Sequence, residues 1–140
     1  MSQGSHQLKI RSIRAEQTLP LRQQVLWPDM PVSSSVLPDD HAALHLGGYW
    51  DEQLVCVASV FDDKGARLRK FATHPDFQGR GIGSAMLTHI IATLNQQGAS
   101  RFWCDARLSA QTLYQKFELQ PYGEPFVKQG VMFIRMQRFL

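Results

Sequence analysis

Two strand-like runs, "RLRKFATHP" (residues 67–75) and "RFWCDAR" (residues 101–107), are separated by a single helical pattern in which Leu87, Ile90, Ile91 and Leu94 recur on one face. Gly98 follows a polar last turn as a terminator, so the helix is expected over about residues 82–97. A strand, a helix and a strand in that order form a crossover, and a crossover makes its two strands parallel. Upstream the pattern is different. "LKIRSI" (residues 8–13) alternates as a half-buried strand does, and "ALHLGGYW" and "QLVCVASVF" flank the short polar turn Asp51-Glu52 as an antiparallel hairpin. Between them, Thr18 is expected to cap a helix that buries Leu21, Val25 and Leu26 and stops near Trp27, because Pro28 and Pro31 follow. After residue 107 a short helix over about residues 109–117 and two strand-like runs, residues 119–128 and 131–139, complete the chain. A parallel crossover joined to antiparallel hairpins is a mixed α+β class.

At 140 residues there is chain for one domain over residues 1–140, and no repeat or linker divides it. The apolar fraction of 44% and the charged fraction of 19% suit a folded globular chain. No apolar run approaches the roughly 18 residues of a membrane helix, and the start "MSQGSHQLK" has no apolar leader core, so a cytoplasmic protein with no membrane partner is expected. Cys56 and Cys104 sit singly in strand-like runs without metal or redox spacing, so they read as buried thiols and no metal site is expected. The net charge of +3 divides unevenly, −4 over residues 1–63 and +7 over residues 64–140. No basic stripe interleaved with aromatics marks a nucleic-acid surface, so the basic half suits a small polyanion better. The irregular stretch "MPVSSSVLPDD" (residues 30–40) is long for a connector and is expected to form part of a substrate wall.

The basic half contains "HPDFQGRGIGSAML" (residues 74–87), which puts three glycines and an arginine just before the helix. A helix start leaves backbone amides unpaired at the positive end of the dipole, and glycines let a ligand approach that backbone. Amides of Gly79, Arg80, Gly81, Ile82, Gly83 and Ser84 are therefore candidates to converge on a pyrophosphate, with the Arg80 side chain at the rim. The alternative is a tight turn that holds only itself, but a mere connection needs one glycine. No G-x-x-x-x-G-K-[ST] is present. Gly79-x-Gly81-x-x-Ser84, with Asp105 about twenty residues on, approximates a dinucleotide fingerprint. That fingerprint belongs after the first strand of a parallel sheet, and here antiparallel-looking strands come first.

"QGRGIG" (residues 78–83) resembles the Q/R-x-x-G-x-G/A acyl-CoA signature of the Gcn5-related N-acetyltransferases, with Gln78, Gly81 and Gly83 at the defining positions. "DARLSAQTLYQKFEL" (residues 105–119) is similar to the family's N-A-R-x-x-A-x-x-F-Y-x-K-x-G-F segment at Ala106, Arg107, Ala110, Tyr114 and Lys116. It departs at Phe117-Glu118-Leu119, where x-G-F is usual. The ending resembles a subset with G-x-x-F-x-x-x-G-x-x-H-x-x-M, but Phe133 stands in place of the histidine. The resemblance covers about residues 8–138.

It implies a mixed, mostly antiparallel central sheet of six to seven strands flanked by about four helices, with a central parallel pair that splays apart. The pantetheine of acetyl-CoA, the co-substrate, would lie in the gap against the backbone of Phe71, Ala72 and Thr73. Its pyrophosphate would rest on the turn from Gln78 to Ser84, and Arg107 would join the cofactor-binding set. The implied activity is N-acetyl transfer to a primary amine, small-molecule or peptide, by direct attack in a ternary complex, with Tyr114 as the catalytic acid for the thiolate. Tyr114 also falls on the apolar stripe Ala110, Leu113, Tyr114, Phe117 and can be read as a core residue. An alkylamine of pKa near 10.4 is neutral in only about one part in 2500 at pH 7, a cost of about 4.6 kcal/mol, so a base is called for. Some relatives carry an acid where Arg67 stands here; His45, His74, Glu124 or a water chain are the substitutes on offer. The acidic N-terminal half is a further expected attractant for an amine. The missing acid leaves open a non-catalytic acetyl-CoA sensor, and strands near the C-terminus leave open a homodimer.

Overall fold

The computed structural model describes residues 8–140, so the polar start on which the absence of a leader was read lies mostly outside the described residues. Its strands are β1 (Leu8–Ser12), β2 (Leu44–Trp50), β3 (Gln53–Asp62), β4 (Ala66–Thr73), β5 (Arg101–Arg107), β6 (Gln120–Pro121), β7 (Phe126–Lys128) and β8 (Val131–Phe139). The helices are α1 (Ala15–Leu21), α2 (Ile82–Gln96) and α3 (Gln111–Gln115). The strands form one sheet in the order β1-β2-β3-β4-β5-β8-β6, with β7 also on β8. Only β4 and β5 pair in parallel, as the crossover through α2 requires. The expected run over residues 119–128 divides into β6 and β7 because Gly123, at φ 84°, and Pro125 interrupt it.

α2 buries Met86, Leu87, Ile90, Ile91 and Leu94 against one face of the sheet, and Tyr114 and Leu119 join the same core. Its end is a complete Schellman closure: the Ala99 amide donates to Leu94 O at 3.0 Å and the Gly98 amide to Asn95 O at 3.2 Å, with Gly98 at φ 75°. The opposite face packs Val57 and Ala72 under Leu21, Val25 and Leu26. Thr18 is not the cap. It lies inside α1, fully buried, donating to Ala15 O at 2.6 Å, while Gln17 Oε1 accepts from the Arg14 amide at 2.8 Å and closes the helix start. Pro20 withdraws one amide from the ladder, and the chain continues through a π turn over Arg22–Leu26 before Trp27 ends it.

That turn delivers Arg22 to the interior, where its side chain is fully buried. It donates two bonds to the Asp40 carboxylate, at 2.8 and 2.9 Å, one to Ser35 O at 2.9 Å and one to Ser59 Oγ at 3.0 Å. Asp40 also accepts from the Leu37 amide at 2.9 Å. Burial alone would push the Asp40 carboxyl up, but the Arg22 and Leu37 hydrogen bonds outweigh it and hold it below its usual value. The expected irregular stretch is thereby pinned to β3, its path taken up by 3₁₀ turns at Val32–Ser35 and Asp40–Ala42.

Asp40→Asn leaves a buried guanidinium without its counter-charge and is expected to cost about 3–5 kcal/mol in urea unfolding. Because folding lowers the Asp40 pKa, its contribution is full above the unfolded value near 3.9 and is lost as pH falls through the folded value. Glu118, where the family pattern has glycine, sits at φ 67° just beyond α3. Glu118→Gly is expected to gain about 1 kcal/mol in the same measurement, since glycine adopts that conformation freely.

Candidate active site

The parallel ladder is short. It joins Ala66 to Phe102, Arg67 to Trp103 and Leu68 to Cys104, and no pairing joins residues 69–73 to residues 105–107. β3 still holds β4 as far as Thr73, and β8 still holds β5 as far as Arg107, so the two strands open into a wedge with paired outer edges. The opening coincides with a bulge. Between Ser59↔Arg69 and Val57↔Ala72, β3 advances two residues and β4 three, and Lys70 takes the extra position at φ 56°.

A cavity of about 1070 Å³ fills the wedge. One wall consists of Phe71, Ala72, Thr73, Gln78, Gly83, Arg107 and Tyr114, all of them residues expected in the site. The turn at its edge is built as its glycines predict, with Gly79 at φ 77° and Gly81 at φ 79° leading into the first turn of α2. The Gln78 side chain donates to Thr73 O at 3.1 Å and ties the turn to the end of β4. A Cβ at Gly83 would make only an ordinary contact with Phe71 Cζ at 3.4 Å. Ile82 points into the core and Ser84 is half-buried, so their contribution to a ligand would come from the backbone. The Arg80 side chain is not in the cavity: it lies over Phe77 at 4.8 Å and Trp50 at 5.3 Å and lines a separate groove with His89.

Tyr114 is buried beside Cys104 at the wedge, and burial with the neighbouring thiol pushes its hydroxyl well above the usual value near 10. Cys104, pushed up to about 12 by burial and the neighbouring Asp105, is a thiol with no nucleophilic character at neutral pH. Cys56, also buried, is pushed up to about 11.

The base substitutes fare differently. His45 is buried away from the cavity, with Nδ1 2.7 Å from Ser59 Oγ and Nε2 2.7 Å from Asp40 O. His74 accepts from the Asp76 amide at 3.1 Å and packs edge-on to Phe77, and Glu124 is exposed; neither lines the cavity. The cavity carboxylate is Asp105, held by Arg135 at 2.8 Å and Arg67 at 3.0 Å. Burial would raise its pKa, but Arg135 and Arg67 outweigh that and keep it low, which makes it a poor base. The acidic N-terminal half does not supply an attractant. Its share of the wall is Val25, Leu26, Trp27, Met30 and Ser34, while Asp40 is spent on Arg22. The wall also includes Arg67, Arg69, Lys70 and Lys128 from the basic half, together with Gln129 and Phe133. Among the described residues no group of three or more His, Cys, Asp or Glu could hold a metal ion.

Residues 32–140 match the acetyltransferase (GNAT) domain family. The chain belongs to the GNAT family. This GNAT chain is 28% identical over 134 residues to the uncharacterized N-acetyltransferase YitI of Bacillus subtilis, covering 89% of itself and 90% of that protein. Among solved structures, the IAA acetyltransferase of Bacillus cereus superposes with a TM-score of 0.78 at 20% identity, over 95% of this chain and 99% of that one. A GNAT family acetyltransferase of Elizabethkingia anophelis with acetyl-CoA bound gives 0.72 at 17% identity, over 96% and 99%. At these identities the likeness shows a shared fold, and the mixed sheet with its central parallel pair is that fold.

Gly81→Asp tests the turn. A Cβ at Gly81 meets nothing within 4 Å and aspartate tolerates positive φ, so the variant should fold. If the turn holds a pyrophosphate, the added carboxylate should weaken acetyl-CoA binding by about 100-fold or more in calorimetry.

Proposed function

We propose that this GNAT protein transfers the acetyl group of acetyl-CoA to an amine by direct attack within a ternary complex. The observation that carries this reading is the wedge: an unpaired β4 edge opening beside Tyr114 and ending on a glycine turn at a helix start. In this reading the pantetheine lies along residues 71–73 and pairs with the free backbone groups there, and the pyrophosphate rests on the Gln78 to Ser84 turn. Arg107 ends β5 on the same side as the end of β4, within reach of the phosphate end of the ligand.

The amine arrives from the wall formed by the π turn, residues 27–34 and the β7–β8 hairpin. A neutral amine attacks the thioester carbonyl, and held geometry supplies much of the rate. The tetrahedral intermediate loses the amine proton and expels the CoA thiolate. Tyr114 is protonated throughout the physiological range and donates a hydrogen bond to the departing sulfur. Full transfer from so weak an acid to a thiolate whose thiol titrates near 8.5 runs uphill, so the proton released by the amine completes the CoA thiol. Cations around the cavity lower the pKa of an amine bound there by disfavouring its ammonium form, and the ammonium proton leaves to water before attack.

The reading is tested by calorimetric titration with acetyl-CoA, with NADH as the control, followed by CoA release over a panel of amines. Micromolar acetyl-CoA binding with amine-dependent release supports it; NADH binding alone overturns it, and acetyl-CoA binding without release across the panel leaves an acceptor outside the panel or a sensor. Tyr114→Phe separates the roles of the ring and the hydroxyl. Turnover should fall by about 100-fold while acetyl-CoA affinity stays within about threefold. Unchanged turnover would leave Tyr114 a core residue.

A further inference from the structure

The cavity is lined by Arg67, Arg69, Lys70, Arg107 and Lys128 against the single carboxylate of Asp105, which is already paired with Arg67 and Arg135. Among the described residues no carboxylate lies within ion-pair distance of Arg69, Lys70 or Lys128. A regular strand would send Arg69 and Lys70 to opposite faces of the sheet. The bulge at Lys70 brings both to the same cavity, at the strain of a non-glycine residue at φ 56°. Both side chains are half-buried; the Arg69 pKa is lowered first by burial and then by Arg67 and Arg22, and the Lys70 pKa first by burial and then by Arg69, Arg22 and Lys128. Two adjacent cations held this way, without a counter-charge, are unfavourable in the empty protein and are relieved by an anion.

The anion is not the phosphate end of CoA in the reading given above. At about 3.3 Å per residue, and with the bulge letting three residues of β4 span the length of two on β3, Arg69 stands roughly 10 Å back along β4 from Thr73, where the strand ends and the chain turns toward the glycines. Arg69 instead shares the wall of the cavity with Trp27, Met30, Lys128 and Phe133.

We propose that the acceptor is an amine that also carries a carboxylate or phosphate group, held by Arg69 and Lys70 with Lys128 from the β7–β8 hairpin. The inference rests on the acetyltransferase reading for the amine, whereas the anion subsite stands on the side chains alone. The anion orients the acceptor so that its amine reaches the thioester, and the apolar rings of Trp27 and Phe133 take the remainder of the molecule.

The test uses two matched pairs of probes, L-phenylalanine with 2-phenylethylamine and O-phosphoethanolamine with ethanolamine. Each is titrated calorimetrically into the free and the CoA-loaded protein and then assayed for CoA release from acetyl-CoA. The member bearing the acid group in at least one pair is expected to bind about 30-fold or more tightly than its partner lacking that group, and which pair responds distinguishes carboxylate from phosphate. Arg69→Gln should weaken that binding about 10-fold or more and Arg69→Lys should restore most of it, with acetyl-CoA affinity unchanged in both. If neither probe bearing an acid group binds more tightly than its partner lacking one, the proposal is overturned. A loss of acetyl-CoA affinity in Arg69→Gln equal to the loss for the anionic probe would overturn it too, by assigning the cations to the cofactor. Failure of acetyl-CoA to bind the wild-type protein would instead remove the acetyltransferase reading, and the anion preference of the free protein would still be read.

Discussion

Everything at the candidate site depends on where the β4–β5 ladder stops. Three paired positions hold the strands together at one end, and past Leu68 and Cys104 they part while each keeps its outer neighbour, β4 with β3 and β5 with β8. A backbone edge left unpaired inside a protein must find donors and acceptors elsewhere. Here the gap is closed at its base by the core of α2 and bordered by Tyr114, so an extended ligand with amide groups of its own satisfies the edge better than scattered water does.

The wedge alone would be an open groove. What makes it a walled cavity is the segment after α1, and that segment is held by one buried guanidinium. Arg22 reaches Asp40, Ser35 and Ser59, and His45 completes the network through Ser59 and the Asp40 carbonyl. A buried ion pair is an expensive way to gain stability. Its return is positional: Trp27, Met30 and Ser34 stand on a stretch that has little regular structure of its own. On the same face of the sheet, β5 and β8 rely on stacking, with Arg67 at 4.6 Å and Arg135 at 4.3 Å from the centre of the Trp103 ring. These arginines tie down Asp105 and remove it from chemistry.

Much of this was legible in the amino-acid order wherever a residue type has one strong physical reason to be where it is. Glycines at 79, 81 and 98 announce positive φ, the spacing of Leu87, Ile90, Ile91 and Leu94 announces α2, and two strand-like runs on either side of the polar Asp51-Glu52 turn announce β2 and β3. The features that were not legible lack such a signature. Lysine at position 70 gives no warning of a bulge, and Thr18 looks like a cap because threonine often is one, although Gln17 three residues after Arg14 carried the better signal. Net charge counted by halves pointed to an acidic acceptor wall because counting ignores pairing. Once Asp40 is joined to Arg22 and Asp105 to Arg67 and Arg135, the charge left facing the cavity is positive.

That reversal bears on the absent base. An enzyme that acetylates an amine near neutral pH must either remove a proton from the bound ammonium or bind the neutral amine in preference. A carboxylate near the nitrogen does the first but also raises the amine pKa, so that part of its benefit is cancelled. A ring of cations does the second, since it lowers the amine pKa and penalises the ammonium form. Its drawback is weak capture of an amine with no other charge, because the same field that favours the neutral nitrogen repels the predominant ammonium species in solution. An acceptor with its own anionic group removes that drawback: the anion is drawn in by Arg69 and Lys70, and the nitrogen, placed among the same cations, gives up its proton more readily. Under the proposed acceptor, Arg69 and Lys70 on the β4 bulge would draw in its anionic group and lower the pKa of its nitrogen, so that the attraction for the anion offsets the repulsion of the ammonium form.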